Sequence, residues 1–440
     1  MTDLGSRRMS TRVVMATSAV LAAALGLTAC SSGSSSSGST GVPTGDANAK
    51  VTITFMEAMA SGPQKTALAK MTKDFMKANP NITVKLEPQP DYGTLNTNIT
   101  AQTAAGKPPT IAQVYGDWAA TLAQSKVIVP LDAYVKKAPD YANIYDGVKK
   151  DLKLPDGKTW MWPFNKSVVV QYYNTSMVPK APKTWAQFAK MAKSVSHGKV
   201  VALSMDPGSS SAPAGGTAVF EILAESFGDK VFADDGTPQF DKPGVVKAMK
   251  YLVDLKKSGA LALGKNYPGQ TTLGSETGAF DISSVASYPY DKQAAGSKFK
   301  MGVAQLPAGP SGKTANQLAG TNIALFAKAS DNEKAAAWKY MQFLTTAKEQ
   351  AYWAEQTGYL PVNKKSLDNP GFKAYAAKTP FVTGATKQLD TASGLPPVTW
   401  VGKAGGYLAQ AIQSAVDGKS SPADALKKAQ QQAMQAKNAG

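Results

Sequence analysis

Side-chain catalysis needs a tuned base, an activated nucleophile or a held metal, and this chain offers few groups of those kinds. Its one histidine, His197, lies in Ser196-His197-Gly198, which matches no catalytic or metal-binding pattern. Its one cysteine, Cys30, can form neither an internal disulfide nor a multi-thiolate metal site. There is no G-x-S-x-G, H-E-x-x-H, P-loop or dinucleotide fingerprint. The remaining combination with reactive potential is a carboxylate pair such as Asp117 with Glu57, a pattern that glycosidases use. Non-covalent chemistry is better provided for. A polyhydroxylated molecule needs flat aromatic faces over its C–H surfaces, with carboxylates, amides and backbone groups pairing its hydroxyls. Asp117-Trp118, one residue after the strand reading of Ile111 to Tyr115, suits that task at a strand end. The same two residues also read as a helix N-cap beside a core tryptophan.

The elements that must position such groups alternate along the chain. Val51-Thr52-Ile53-Thr54-Phe55 alternates as a strand. Leu68, Met71 and Phe75 share one helix face, stopped at Asn79-Pro80. A second strand spans Asn81 to Glu87, a helix Thr94 to Ala105, and a short buried strand Thr110 to Tyr115. Later helices open at Thr184 with Gln187, at Pro243, at Ser330 with Glu333, and at Ser421-Pro422, and a strand spans Val200 to Met205. This order predicts α/β layers with mostly parallel sheets. Trp185 and Trp338 fall at core spacing on their helices. A length of 440 residues suits two domains with appendages, and 43% hydrophobic residues suffice for their cores. The net charge of +17 is spread over scattered lysines, without the arginine-rich or aromatic-interleaved runs of nucleic-acid binders. It fits a soluble basic surface or attraction to an anionic membrane.

The first thirty residues carry the most specific local signal. Arg7, Arg8 and Arg12 precede an apolar stretch, Val13 to Leu27, that is short for a spanning helix and right for a signal peptide. Leu27-Thr28-Ala29-Cys30 then resembles the lipobox of bacterial lipoproteins, in which the cysteine becomes the lipidated first residue. The Ser/Gly-rich run from Ser31 to Gly41 reads as a flexible tether. Residues 1–29 are therefore expected to be a signal peptide, 30–49 a tether, and Cys30 a lipid anchor to the cell membrane.

Several segments resemble the extracellular solute-binding proteins that include maltodextrin, multiple-sugar and glycerol-3-phosphate receptors. They are Val114-Tyr115-Gly116-Asp117-Trp118, Val129-Pro130-Leu131-Asp132, Trp162-Pro163-Phe164-Asn165-Lys166-Ser167 with Tyr172-Tyr173-Asn174, Pro182-Lys183-Thr184-Trp185, Gly320-Thr321-Asn322 and Thr357-Gly358-Tyr359-Leu360-Pro361. The resemblance implies an α/β fold of the periplasmic-binding-protein type II kind: two lobes, a hinge crossed three times, and a ligand cleft between them. Carried onto this sequence, the crossings fall near Asn165, Gly320 and Pro361. Lobe one is then 50–164 with 321–361, and lobe two 165–320 with 362–440. It further implies a monomeric receptor without a cofactor, delivering its ligand to the permease of an ATP-driven importer.

The same resemblance nominates binding residues. Asp117 matches an acidic strand-end residue of the maltodextrin receptors, beside Trp118. Tyr92 matches a ligand-contacting tyrosine of the glycerol-3-phosphate receptors. Asn165 and Ser167 lie at the first crossing, Gly320 and Asn322 at the second, and Tyr359 at the third. Ser283 and Ser284 match small polar residues after a lobe-two strand. Glu57 ends the first strand, Trp162 precedes the first crossing, and Trp400 occupies the loop where glycerol-3-phosphate receptors place a phosphate-binding arginine. No arginine follows Arg12, so bidentate guanidinium–phosphate pairing is unavailable to the processed chain. A sugar or oligosaccharide is the favoured ligand, with glycerol-3-phosphate or a glycerophosphodiester as the alternative. A glycosidase and a purely structural lipoprotein are the other classes the sequence leaves open.

Overall fold

The computed structural model describes residues 42, 45–46, 49–208 and 217–440. The signal peptide, Cys30 and most of the tether lie outside the described residues. Two five-stranded sheets share one plan. The first has the order β2-β1-β3-β10-β4, from β1 (Val51–Glu57), β2 (Ile82–Pro88), β3 (Ile111–Val114), β4 (Trp162–Ser167) and β10 (Ala319–Leu325). The second has the order β7-β6-β8-β5-β9, from β5 (Val169–Asn174), β6 (Leu203–Met205), β7 (Leu261–Leu263), β8 (Phe280–Ser284) and β9 (Met301–Ala304). In each sheet three parallel strands are followed by an antiparallel one: β10 against β3 and β4, and β5 against β8 and β9.

Local sequence explains the elements. In β1, Ile53 and Phe55 alternate into the core while Thr52 stays exposed. The Gly62–Ala78 helix carries a proline in its first turn and buries Leu68, Met71 and Phe75 on one face. Ser330 and Glu333 form a capping box on the Asp331–Leu344 helix. Thr184 and Ser421 cap the Trp185–Val195 and Pro422–Ala439 helices. The first sheet's core gathers Ile53, Phe55, Phe75, Trp162, Phe164, Trp338 and Tyr340. The second sheet's core gathers Phe188, Phe220, Phe240 and Phe280 with the two last helices, through Leu408, Ile412 and Leu426. Each such side chain contributes about 1.5–3 kcal/mol of burial. Among the described residues no helix is long and apolar enough to cross a membrane.

The strands leave and return through a small region. Only Val168 separates β4 of the first sheet from β5 of the second. β10 brings the chain back, and Leu360 then pairs with Lys166, its N–H donating to the Lys166 carbonyl at 2.8 Å. Gly320 is required there. Its φ is +89°, and a Cβ would stand 1.7 Å from the Asn165 carbonyl oxygen. Beneath this crossing Lys166, almost fully buried, meets Asp151 at 2.6 Å, and the Asn322 amide donates to the same carboxylate at 2.7 Å.

Candidate functional site

A cavity of about 550 Å³ opens at the carboxyl ends of the parallel strands of both sheets, where side chains converge in open α/β sheets. From the first sheet it is walled by Ala58 to Ser61 after β1, by Pro90, Asp91 and Tyr92 after β2, and by Tyr115 after β3. From the second come Ser204, Met205 and Asp206 at the end of β6, Asn266 to Gln270 after β7, and Asp281 to Ser284 on β8. Ser167, Val169, Gly320 and Tyr359 come from the crossings. Five tyrosines, at 92, 115, 267, 290 and 359, give it its aromatic surface.

The tyrosine wall is braced from behind. Tyr92 meets Tyr115 edge-on at 5.3 Å, and Tyr115 meets Trp118 edge-on at 4.9 Å. Tyr359 stacks on Trp353 at 5.8 Å. The hydroxyls of Tyr92 and Tyr359 are 3.4 Å apart. A buried amide chain fixes the first of them. The Ala58 N–H donates to Gln113 Oε1 at 2.6 Å, Gln113 Nε2 to Asn165 Oδ1 at 3.1 Å, and Asn165 Nδ2 to the Tyr92 hydroxyl at 3.1 Å. Thr321 Oγ1 also donates to Asn165 Oδ1, at 2.5 Å. Burial holds the Tyr92 and Tyr115 phenols well above the ordinary tyrosine range, so both remain protonated donors.

Six sequence-nominated residues line this cavity: Tyr92, Ser167, Ser283, Ser284, Gly320 and Tyr359. Ser283 shares a hydrogen bond with Ser287 at 2.9 Å, and Ser284 Oγ accepts from the Ala286 N–H at 3.1 Å. The structure places the other seven elsewhere. Asn165 is wholly buried and acts on the cavity through Tyr92. Trp118 lies in the core behind Tyr115. Trp162 is a core residue at the first sheet, its Nε1 donating to the Met341 carbonyl and Thr345 Oγ1, both at 3.0 Å. Asn322 is buried on Asp151. Glu57 turns back to accept from the Met59 N–H, bracing the turn after β1, and burial pushes its carboxyl up to about 7. Asp117 is half-buried beside Gly402, where a Cβ would approach its Oδ2 to 2.7 Å, and burial pushes it up to about 6. Trp400 packs on the second core, its Nε1 donating to the Gly236 carbonyl at 2.9 Å.

Sequence reasoning missed Tyr115, Asp206, Tyr267, Asp281 and Tyr290. Tyr115 was within reach, since it is the strand-end residue two positions before Asp117. Tyr267 carries a different signal. It and Asn266 both have positive φ, 59° and 56°, and Tyr267 precedes Pro268, where such a conformation is further disfavoured. The residue is 64% exposed and lines the cavity. Tyr290, on the Tyr288–Ala295 helix, donates its hydroxyl to Gln64 on the Gly62–Ala78 helix, and so spans the cavity mouth. The site is thus built for holding a small polar molecule by rings and hydrogen bonds. Among the described residues no group of His, Cys, Asp and Glu is placed to hold a metal.

Comparison with known proteins agrees with this geometry. Residues 70–380 match the family described as bacterial extracellular solute-binding protein. The sn-glycerol-3-phosphate-binding periplasmic protein UgpB of Escherichia coli K12 is 28% identical over 379 residues, covering 80% of this chain and 83% of its own. Among solved structures, UgpB from Mycobacterium tuberculosis in complex with glycerophosphocholine superposes with a TM-score of 0.80 at 20% identity, covering 88% of this chain and 98% of that one. Maltose-bound T. maritima MalE3 superposes with a TM-score of 0.76 at 23% identity, covering 87% and 99%. The two sheets, the shared crossing and the strand-end cavity are the architecture of that fold, and the chain belongs to the bacterial extracellular solute-binding proteins.

Proposed function

We propose that this protein is the lipid-anchored receptor of an ATP-driven importer, capturing a carbohydrate in the strand-end cavity and delivering it to a membrane permease. The observation that carries the ligand class is the lining: five tyrosines, with serines, amides and carboxylates, and no lysine or arginine among the described residues. A phosphate ester buried there lacks a cationic partner, and unpaired buried charge is costly. A polyol finds ring faces and acceptors. The likeness to glycerol-3-phosphate receptors keeps a glycerophosphodiester as the second reading, with backbone N–H groups holding the phosphate.

On this reading lobe one comprises residues 50–164 and 321–361, and lobe two 165–320 and 362–440. Cys30, acylated after removal of residues 1–29, anchors them through the Ser/Gly tether outside the cytoplasm. Ligand contacts from both walls favour the closed arrangement over an open one by their difference in affinity. The test is a thermal-shift screen of the purified chain against mono- and oligosaccharides, glycerol-3-phosphate and glycerophosphocholine. A hundredfold excess over the dissociation constant stabilises by about 2.7 kcal/mol. A shift with a sugar, recovered chemically unchanged, is expected. A shift with the glycerol phosphates alone overturns the carbohydrate reading.

A further inference from the structure

The cavity wall is acidic in a basic protein. Asp91, Asp206 and Asp281 line it, without a lysine or arginine among the described residues, although the chain's formal charge is +17. Residues 209–216, outside the described set, contain no charged side chain. Two of these carboxylates have local duties. Asp91 caps the Tyr92–Ala104 helix, accepting from Thr94 N–H at 2.8 Å and Thr94 Oγ1 at 3.1 Å. Asp206 accepts from the Gly208 N–H at 2.9 Å.

Asp281 differs. It is 6% exposed, faces the cavity from β8, and its carboxyl meets that of Asp291, which is wholly buried on the Tyr288–Ala295 helix. Neither Asp291 oxygen receives a hydrogen bond of good geometry. The groups around the pair are Gln270 from the Pro268–Gly274 helix and the Tyr172 phenol from β5, with Gly269 packed on Asp281 Oδ1. None is a cation. A sugar hydroxyl satisfies one carboxylate at such a wall. It does nothing for a second carboxyl buried behind the first, whereas a ligand cation compensates both.

We propose that the cleft takes a carbohydrate bearing a protonated amine, an amino sugar or a short oligomer of amino sugars, with the Asp281–Asp291 carboxyl pair as the seat of the ammonium. This rests on the carbohydrate reading of the cavity and narrows it. Tyrosine faces on the same cavity supply further attraction for a cation. Burial, and for Asp291 the neighbouring Asp281, hold both carboxyls above the ordinary carboxylate range. The empty pair therefore retains a proton near neutrality, and an arriving ammonium displaces it.

The experiment is titration calorimetry of the full-length chain at pH 7 with matched ligands: glucose and glucosamine, galactose and galactosamine, cellobiose and the chitosan dimer. Each is run in Tris and in HEPES, whose ionisation enthalpies differ, with glycerol-3-phosphate and glycerophosphocholine alongside. The amine member of a pair is expected to bind about tenfold tighter or more, releasing about one proton per ligand bound. In Asp281→Asn the ratio of amine to neutral affinity falls toward one. Neutral sugars binding as tightly as their amines overturn the ammonium seat and leave the carbohydrate reading standing. An amine preference without proton release, or one surviving Asp281→Asn, removes the pair from that role. Binding of the glycerol phosphates alone, or of no probe, overturns both readings.

Discussion

Asn165 is one of the residues for which sequence and structure assign different roles, and a double-mutant cycle separates them. The resemblance makes it a ligand contact. The structure makes it a positioning residue, wholly buried, whose amide donates to the Tyr92 hydroxyl at 3.1 Å. Tyr92→Phe removes a cavity hydroxyl that is both braced from behind and free to meet ligand. Its loss costs about 0.5–1.5 kcal/mol in affinity, or roughly two- to twelvefold. Asn165→Leu leaves the Tyr92 hydroxyl unaimed and Gln113 and Thr321 short of a partner. It lowers stability by about 1–3 kcal/mol for each polar group left unsatisfied. It reaches the ligand only through Tyr92, so its affinity cost is at most that of Tyr92→Phe. In the double variant the second substitution then adds almost nothing, and the coupling energy in affinity equals the smaller single effect. Calorimetric affinities for the sugar found in the screen, measured on the four proteins, give the coupling directly. Additive losses would falsify the relay and restore Asn165 as a direct contact.

Gly320→Ala forces a Cβ to 1.7 Å from the Asn165 carbonyl at a φ of +89°. It is expected to destabilise the fold by more than about 3 kcal/mol, read as a large fall in Tm. Tyr267→Gly separates two roles: relief of positive-φ strain raises Tm by the equivalent of about 1 kcal/mol, while loss of the rim ring weakens sugar binding. Parallel changes in Tm and affinity contradict that assignment. Trp400→Phe breaks the bond to the Gly236 carbonyl and is expected to lower stability by about 1 kcal/mol with sugar affinity unchanged; weakened binding returns Trp400 to the site. The Asp281–Asp291 pair sets a pH slope. Its folded pKa values are raised above the unfolded carboxylate range, so the folded state holds more protons. Its stabilising contribution is complete below about pH 4 and is lost as pH rises through the raised values. Asp291→Asn should flatten that slope and raise Tm at pH 8, and an unchanged slope assigns the proton elsewhere.

The fold was legible because its signals are local. Alternation in β1, the capping box at Ser330, the N-cap at Ser421, and proline in the first turns of the Pro243–Lys257 and Pro422–Ala439 helices each fix an element without reference to the rest of the chain. The candidate site was legible where the family resemblance marked residues that line the cavity, as at Tyr92, Ser283 and Ser284, or where backbone freedom is demanded, as at Gly320. It was not legible where packing decides. Trp162 and Trp400 have the ring size of a stacking residue, but both found partners for their indole N–H inside the protein, which is the usual fate of a buried tryptophan. Asp117 sits two residues beyond the tyrosine that reaches the cavity, and its carboxylate turns toward Gly402. The strand ends at Val114 and a helix begins at Gly116, so the change of backbone between Tyr115 and Asp117 sends their side chains to different surfaces, and periodicity does not resolve it.

The contacts across the cavity mouth bear on how capture is controlled. Tyr290 donates to Gln64 from the opposite wall, and a Cβ on Gly62 would collide with the same hydroxyl. On the far side a Cβ on Gly116 would stand 2.8 Å from Pro397 Cβ, beside the approach of Asp117 to Gly402. The Tyr290–Gln64 contact is polar, and a single net hydrogen bond is worth about 0.5–1.5 kcal/mol. Such contacts bias closure without fixing it. On the proposed function, a ligand touching Tyr92 and Tyr115 on one wall and Asp281 and Ser283 on the other would add a differential affinity larger than that single bond. That reading assigns the closing free energy mainly to the solute, which would let a membrane partner distinguish a loaded receptor from an empty one by shape alone.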